Sequence, residues 1–235
     1  MEITRGSLLA GAQAARGLSV VIDVFRAFSC APLLFSMGIE KGILVSTPEE
    51  AITLKKEDAA LILVGEVDGA PISGFDFGNS PSQILKQAPA IFKGKTIVQR
   101  TSSGVQGALA ALKNSDEVLL ASFALAASTA KYILKKNPAR VSILAMGWNL
   151  EVIAPEDEWC ATYIAHLLGK GDYDHIQALR EIIFHEQAQK FLQRKKPHFP
   201  PEDPLLCLQR DVYDFVLRAE RESGKVIVRK EMVSS

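Results

Sequence analysis

Six short runs of continuous apolar, largely β-branched residues recur along the chain, and no other feature restricts its fold so tightly. They are LSVVIDV (18–24), GILVS (42–46), ALILVGEV (60–67), KTIVQR (95–100), EVLLAS (117–122) and VSILAMG (141–147). Runs that are apolar throughout, rather than alternating, belong to strands covered on both faces. Stretches of helical character at 27–38, 48–56, 81–88, 104–113, 124–137 and 156–168 lie between and after them. That alternation predicts βαβ units, and hence an α/β fold with a mainly parallel sheet and helices on both faces.

Local signals agree. Thr47-Pro48-Glu49-Glu50 opens a helix with a capping hydroxyl, a first-turn proline and two acids at the positive end, and Ser80-Pro81 repeats the device. Asn137-Pro138 closes a helix, since a residue before proline is pushed out of the α region. Pro32 predicts that the first helix begins only around Cys30 or Ala31. Past residue 170 come helices rich in His, Gln and Lys over 173–195, then the proline cluster KKPHFPPEDP (195–204). A short helix (204–210) and a hairpin, DFVLRAERE and KVIVRKE turned at Ser223-Gly224, follow. This tail is read as completing a single domain over 1–235.

Composition bounds the partners. The 235 residues are 48% hydrophobic and 23% charged, as in an ordinary globular protein. Lys and Arg (27) balance Asp and Glu (27), which argues against a nucleic-acid binder. No run approaches the ~18 apolar residues of a membrane span, and MEITRGSLLAGAQAARG lacks a signal-peptide core. Cys30, Cys160 and Cys207 are odd in number and widely spaced, which fits a reducing cytoplasm better than disulfides or zinc. A homo-oligomer is compatible with all of this.

In open α/β sheets the site lies beyond the carboxyl ends of the strands. Asp23 and Arg26 follow the first run, and Gly65-Glu66-Val67-Asp68-Gly69 ends the third. The connection GFDFGNSPS (74–82) carries Asp76, Asn79 and Ser80. The fourth run leads into Thr101-Ser102-Ser103-Gly104, and the fifth into Ser122. The sixth passes through Gly147-Trp148-Asn149 to Glu156-Asp157-Glu158, with Cys160 behind. Carboxylates at successive strand ends suit a hard, oxygen-seeking cation such as magnesium, with Asp23, Glu66, Glu156 and Asp157 as candidate ligands. Hydroxyls at a helix start suit a small anion, held by Arg26, Asp76, Asn79, Ser80, Thr101, Ser102, Ser103, Gly104 and Ser122. Asp23, Arg26, Glu66 and Cys160 are the candidate catalytic groups. Together they predict magnesium-assisted chemistry on a small, anionic, phosphorylated substrate. Each group also has a structural reading: Asp23 as a helix cap, Thr101–Ser103 as a capping box, Glu156 and Asp157 as first-turn acids, Cys160 as core. The four histidines lie away from these loops and read as surface or structural residues. GxxxxGK[ST] is absent, and no GxGxxG follows the first strand.

The combination VVIDVFRAFS, LVGEVDG, GFDFGNSP, TSSG and PEDEWCA resembles the 2-phosphosulfolactate phosphatase family, the ComB-like proteins of coenzyme M biosynthesis, from about residue 18 to 168. The resemblance implies a ComB-like α/β fold and a magnesium-dependent phosphatase converting 2-phospho-3-sulfolactate to 3-sulfolactate and phosphate. It places the family's motifs on Asp23 and Arg26, on Gly65 and Glu66, on Gly74 to Pro81, and on Glu156, Asp157, Cys160 and Ala161. Three segments depart from the family pattern. TSSGV (101–105) stands where TTNGT is usual, Leu125 where GSFxN ends in Asn, and Thr162 where Gly usually follows Cys-Ala. Phosphatase chemistry is therefore expected more firmly than the exact substrate. Attack by metal-oriented water is the default, with a covalent route through Cys160 or an aspartate as the alternative. The competing readings are a non-catalytic small-anion-binding protein and a different hydrolase or lyase on the same scaffold.

Overall fold

The computed structural model describes residues 1–233. Its strands are β1 (Glu2–Ser7), β2 (Leu18–Ile22), β3 (Lys41–Leu44), β4 (Ile62–Val67), β5 (Ala70–Pro71), β6 (Thr96–Arg100), β7 (Glu117–Ala121), β8 (Arg140–Ala145), β9 (Phe215–Glu222) and β10 (Lys225–Met232). Its α-helices are α1 (Leu8–Ala14), α2 (Ala27–Ser36), α3 (Pro48–Glu57), α4 (Pro81–Leu85), α5 (Gly104–Ala111), α6 (Ala126–Lys136), α7 (Pro155–Leu167), α8 (His175–Phe184), α9 (Glu186–Leu192) and α10 (Asp203–Cys207). All six apolar runs form strands, and the expected α/β fold is borne out.

The strands join one sheet in the order β1-β8-β2-β7-β9-β10-β3-β6-β4-β5. Two parallel blocks, β1-β8-β2-β7 and β3-β6-β4, are joined by the β9–β10 hairpin, which pairs antiparallel with β7 on one side and β3 on the other. The tail thus supplies the middle of the sheet. Burial explains the apolar runs: β2 and β7 are covered along their whole length. Alternate residues serve opposite faces, since Val21 and Leu120 pack with Phe28 and Leu34, whereas Val20, Ile22 and Leu119 pack with Ile143 and Ile164.

The helix signals act as expected where their geometry is visible. Thr47 Oγ1 accepts from Glu50 N at 3.2 Å, and Ser80 Oγ accepts from Gln83 N at 3.4 Å. Asn137 closes α6 in the left-handed region, at φ 46°. One boundary differs: α2 starts at Ala27 and contains Pro32. Asp23 Oδ1 accepts from Ala27 N, and Ser29 N and Cys30 N both donate to Arg26 O, so the first turn is secured ahead of the proline. The unforeseen β1 is an edge strand of mixed polarity, EITRGS, running parallel to β8. Among the described residues no helix is long and apolar enough to cross a membrane.

If the hairpin ties the two blocks together, truncating its buried centre should be costly. Leu217→Ala, at a fully buried position beside Leu120, should lower the urea-unfolding free energy by about 2–5 kcal/mol. Lys225→Ala, at the exposed turn, should change it by no more than about 0.5 kcal/mol.

Candidate functional site

The residue after β2, Asp23, is 4% exposed, and a lone buried carboxylate needs partners. Backbone N–H groups supply them. Oδ1 accepts from Ala27 N at 3.0 Å and Oδ2 from Gly104 N at 2.7 Å, so one side chain holds the first residues of both α2 and α5. Position 104 must be glycine for that approach, because a Cβ there would lie 2.7 Å from Asp23 Oδ2. Glu66, near the end of β4, is held in the same way. Its Oε1 accepts from Ser102 N at 2.6 Å and its Oε2 from Gly69 N at 2.5 Å. Asp157, in the first turn of α7, accepts from Val24 N at 2.7 Å and Gly147 N at 2.8 Å, pinning the exits of β2 and β8 together.

The carboxyl ends of β2, β4, β6 and β8 thereby meet around a cavity of about 20 Å³. That is room for one water-sized species. Asp23, Arg26, Glu66, Asn79, Ser102 and Trp148 are among its lining residues. Three neighbouring acids are raised by their surroundings. Burial, then the charge of Glu66, pushes Asp23 up to about 6. Burial, then the charge of Asp23, pushes Glu156 up to about 7, against the attraction of Lys190. Burial and the charges of Asp23 and Glu156 hold Asp157 well above the usual carboxylate range. Lys190, from α9, is lowered by burial to about 8, with Glu156 and Asp23 opposing.

Among the described residues two buried oxygens of cavity-wall residues, Asn79 Oδ1 and Asn149 Oδ1, have no hydrogen-bond partner, and neither does Glu156 Oε2, whose residue is not on that wall. Among the described residues no three His, Cys, Asp or Glu side chains form a ready-made metal cage. The donor chemistry nevertheless fits magnesium. That ion is usually held by one or two carboxylates together with waters and substrate oxygens, which Asp23, Glu66 and the unpartnered oxygens can provide. Asp157 accepts two backbone N–H groups as Asp23 and Glu66 do, but it is absent from the cavity wall and ties the exits of β2 and β8 instead.

Several expected residues do other work. Arg26 lines the cavity, but its Nη1 donates to His198 O at 2.7 Å and to Asp203 Oδ2 at 2.8 Å, and its Nη2 to Gly69 O at 3.1 Å. The guanidinium also lies over the rings of Phe191 and Phe199. Only two of its five N–H groups remain for an anion. Ser80 Oγ donates to Asp203 Oδ1 at 2.9 Å, and Thr101 Oγ1 accepts from Val105 N at 3.0 Å, so both serve structure. Asp76 lies off the cavity wall: it is exposed and accepts from Lys55 Nζ and Leu63 N. Ser122 is buried away from the cavity wall. Cys160 is fully buried in the apolar cluster with Val20 and Ile164, off the cavity wall, and burial holds its thiol well above its ordinary range.

Sequence reasoning missed Lys190, Phe191, Phe199 and Asp203. The only signal was a lysine beside an aromatic residue in a polar helix and an aspartate among prolines, neither of which points to a site. Trp148 and Asn149 followed a strand end, yet nothing distinguished them from ordinary loop residues.

Two consequences are measurable. Asp203→Ala leaves the buried Arg26 charge without its carboxylate and should destabilise the protein by about 3–5 kcal/mol in chemical unfolding. The folded state also retains protons on Asp23 between 3.8 and about 6, and on Glu156 between 4.5 and about 7, that the unfolded chain releases. Stability from these groups therefore falls as pH rises through that window. Thermal unfolding in EDTA should show a lower melting temperature at pH 7.5 than at pH 5, and Asp23→Asn should flatten the difference.

A sequence profile of the family described as 2-phosphosulpholactate phosphatase matches residues 7–222, which includes the tail that carries Lys190 and Asp203. Relatives named probable 2-phosphosulfolactate phosphatase include one from Bacillus subtilis (strain 168), 32% identical over 219 residues and covering 92% of each chain. Another, from Trichormus variabilis, is 32% identical over 228 residues, 88% of this chain and 89% of the relative. A third, from Caldicellulosiruptor saccharolyticus, is 39% identical over 153 residues, 63% of this chain and 61% of the relative. With the profile spanning residues 7–222, and a relative 32% identical over 92% of each chain, the chain belongs to the 2-phosphosulfolactate phosphatase family of phosphoric monoester hydrolases.

Proposed function

We propose that this protein is a magnesium-dependent phosphatase that hydrolyses 2-phospho-3-sulfolactate, or a closely related phospho-hydroxyacid, to the hydroxyacid and phosphate. The observation that carries the reading is the pairing of Asp23 and Glu66. These two buried carboxylates line one water-sized cavity, and the charge of Glu66 helps to raise Asp23. When bound, magnesium would supply Lewis-acid polarisation of a phosphoryl oxygen. Asp23 or Glu66 would orient the attacking water and take its proton as its oxygen bonds to phosphorus, while the ester P–O bond breaks and the leaving oxygen takes a proton from solvent. Ser102 and Ser103, on the cavity wall at the start of α5, face the phosphoryl oxygens. Lys190 offsets part of the carboxylate charge of Glu156, Asp23 and Glu66.

The altered TSSGV segment is the one feature that favours a non-catalytic anion-binding role, since Ser103 lines the cavity where the family usually has asparagine. The second departure is remote from the cavity: Leu125 is fully buried in the apolar core. Turnover separates the two readings. Phosphate release from 2-phospho-3-sulfolactate should require magnesium and stop in EDTA, and Asp23→Asn or Glu66→Gln should lower kcat/KM by about 100-fold or more. A folded protein that binds magnesium but frees no phosphate from any phospho-hydroxyacid would establish the binding role instead.

A further inference from the structure

The 20 Å³ cavity takes a water-sized species, so the phosphoryl group of a substrate would lie at its mouth and the acidic end of a phospho-hydroxyacid further out. Next to the cavity is a second and larger space of about 390 Å³. The two share Trp148 and Phe199 as wall, and Lys190 stands at their junction. Its volume falls in the range of small-molecule sites, ~300–1,000 Å³. Its lining is rich in donors, with Lys190, Lys195, Lys196, Gln187, Gln189 and Gln193 facing it. The acids on the wall are Asp68 and Glu186, and Asp68 Oδ1 already accepts from Asn149 Nδ2 at 2.7 Å.

Lys190 is the singular member of this set. Its Nζ sits 3.5 Å from the centroid of the Trp148 ring and donates to Gln187 Oε1 at 2.6 Å. Among the described residues it forms no ion pair, although burial lowers its pKa to about 8. An ammonium has three donors, and among the described residues only one of those of Lys190 is spent on a hydrogen bond. An anionic group arriving from the larger space would meet the two unused donors, beside the charges of Lys195 and Lys196 on the rim.

We propose that Lys190, with Lys195 and Lys196 on the rim, forms a subsite for the sulfonate or carboxylate end of the substrate, so that α9 determines the preference for phosphate esters bearing a second anion. This inference rests on the phosphatase reading for its substrate. It assigns a specificity-determining role to a part of the chain that the strand-end motifs do not reach.

The test compares Lys190→Gln and Lys190→Arg with the unaltered protein on 2-phospho-3-sulfolactate and on phenyl phosphate, which has no second anion. Calorimetric binding of the product 3-sulfolactate serves as a readout independent of turnover. Lys190→Gln should raise KM for phosphosulfolactate at least tenfold, with a smaller change in kcat, and cut the kcat/KM preference over phenyl phosphate at least tenfold. It should weaken 3-sulfolactate binding similarly, and Lys190→Arg should restore most of both. An equal loss on the two esters, or a preference unchanged in Lys190→Gln, overturns the subsite while leaving the phosphatase reading in place. Lys190-dependent binding of 3-sulfolactate without release of phosphate from any ester supports the subsite and sinks the phosphatase reading. If Lys190→Gln unfolds, Lys195→Gln/Lys196→Gln carries the comparison: a preference reduced at least threefold supports the subsite, and an unchanged one overturns it.

Discussion

Buried carboxylates at the ends of parallel strands are tolerable only where something answers their charge, and here backbone N–H groups give most of the answer. Asp23 alone receives the amides of Ala27 and Gly104, Glu66 those of Gly69 and Ser102, and Asp157 those of Val24 and Gly147. Each pair belongs to loops or helix starts that are separate in the sequence or at a turn. The same bonds therefore keep the acids in place and hold the strand ends against one another. What they leave uncompensated is charge: three acids raised within sensing distance of one another, with Lys190 opposing. That surplus is the physical basis for expecting a cation in the site.

The tail completes this arrangement twice. Its hairpin joins the two parallel blocks, and its α9-to-α10 segment closes over the cavity. Asp203 takes the Arg26 guanidinium on one oxygen and Ser80 Oγ and Ser82 N on the other, so one fully buried acid links α2, α4 and α10. Gly69 follows from the same packing. It has φ +80°, and a Cβ there would lie 2.5 Å from the Phe199 ring. Such a buried ion pair does little for net stability compared with an apolar equivalent, but removing one partner is expensive, so Arg26 and Asp203 act as a unit.

The sequence made the elements legible because β2, β4, β7 and β8 are buried along nearly all their length, which writes itself as unbroken apolar runs. It did not reveal β1, whose six residues mix polar and apolar at an exposed edge, nor the opposed directions of the two blocks, since burial patterns carry no information on which strands pair. At the site, Asp23 and Glu66 were legible because an acid at the end of a buried strand is conspicuous. Asp76 was named only as part of the GFDFGNSPS connection, and its pairing with Lys55, 21 residues earlier, left no mark in the sequence. Arg26 was found but mistaken for a free clamp, because its partner Asp203 lies 177 residues away. Lys190 was invisible for a similar reason: only folding places a lysine of a polar helix over Trp148 and near Glu156.

The central claim is that Asp23 and Glu66 form a site whose surplus negative charge is met by a divalent cation. Titrating Mg2+ into metal-free protein at pH 6, in buffers of different ionisation enthalpy, tests it most directly. The account predicts saturable binding with proton release, because the cation competes with the proton that burial and Glu66 favour on Asp23, and loss of that signal in Asp23→Asn. Absence of binding, or binding that Asp23→Asn leaves unchanged, would contradict it.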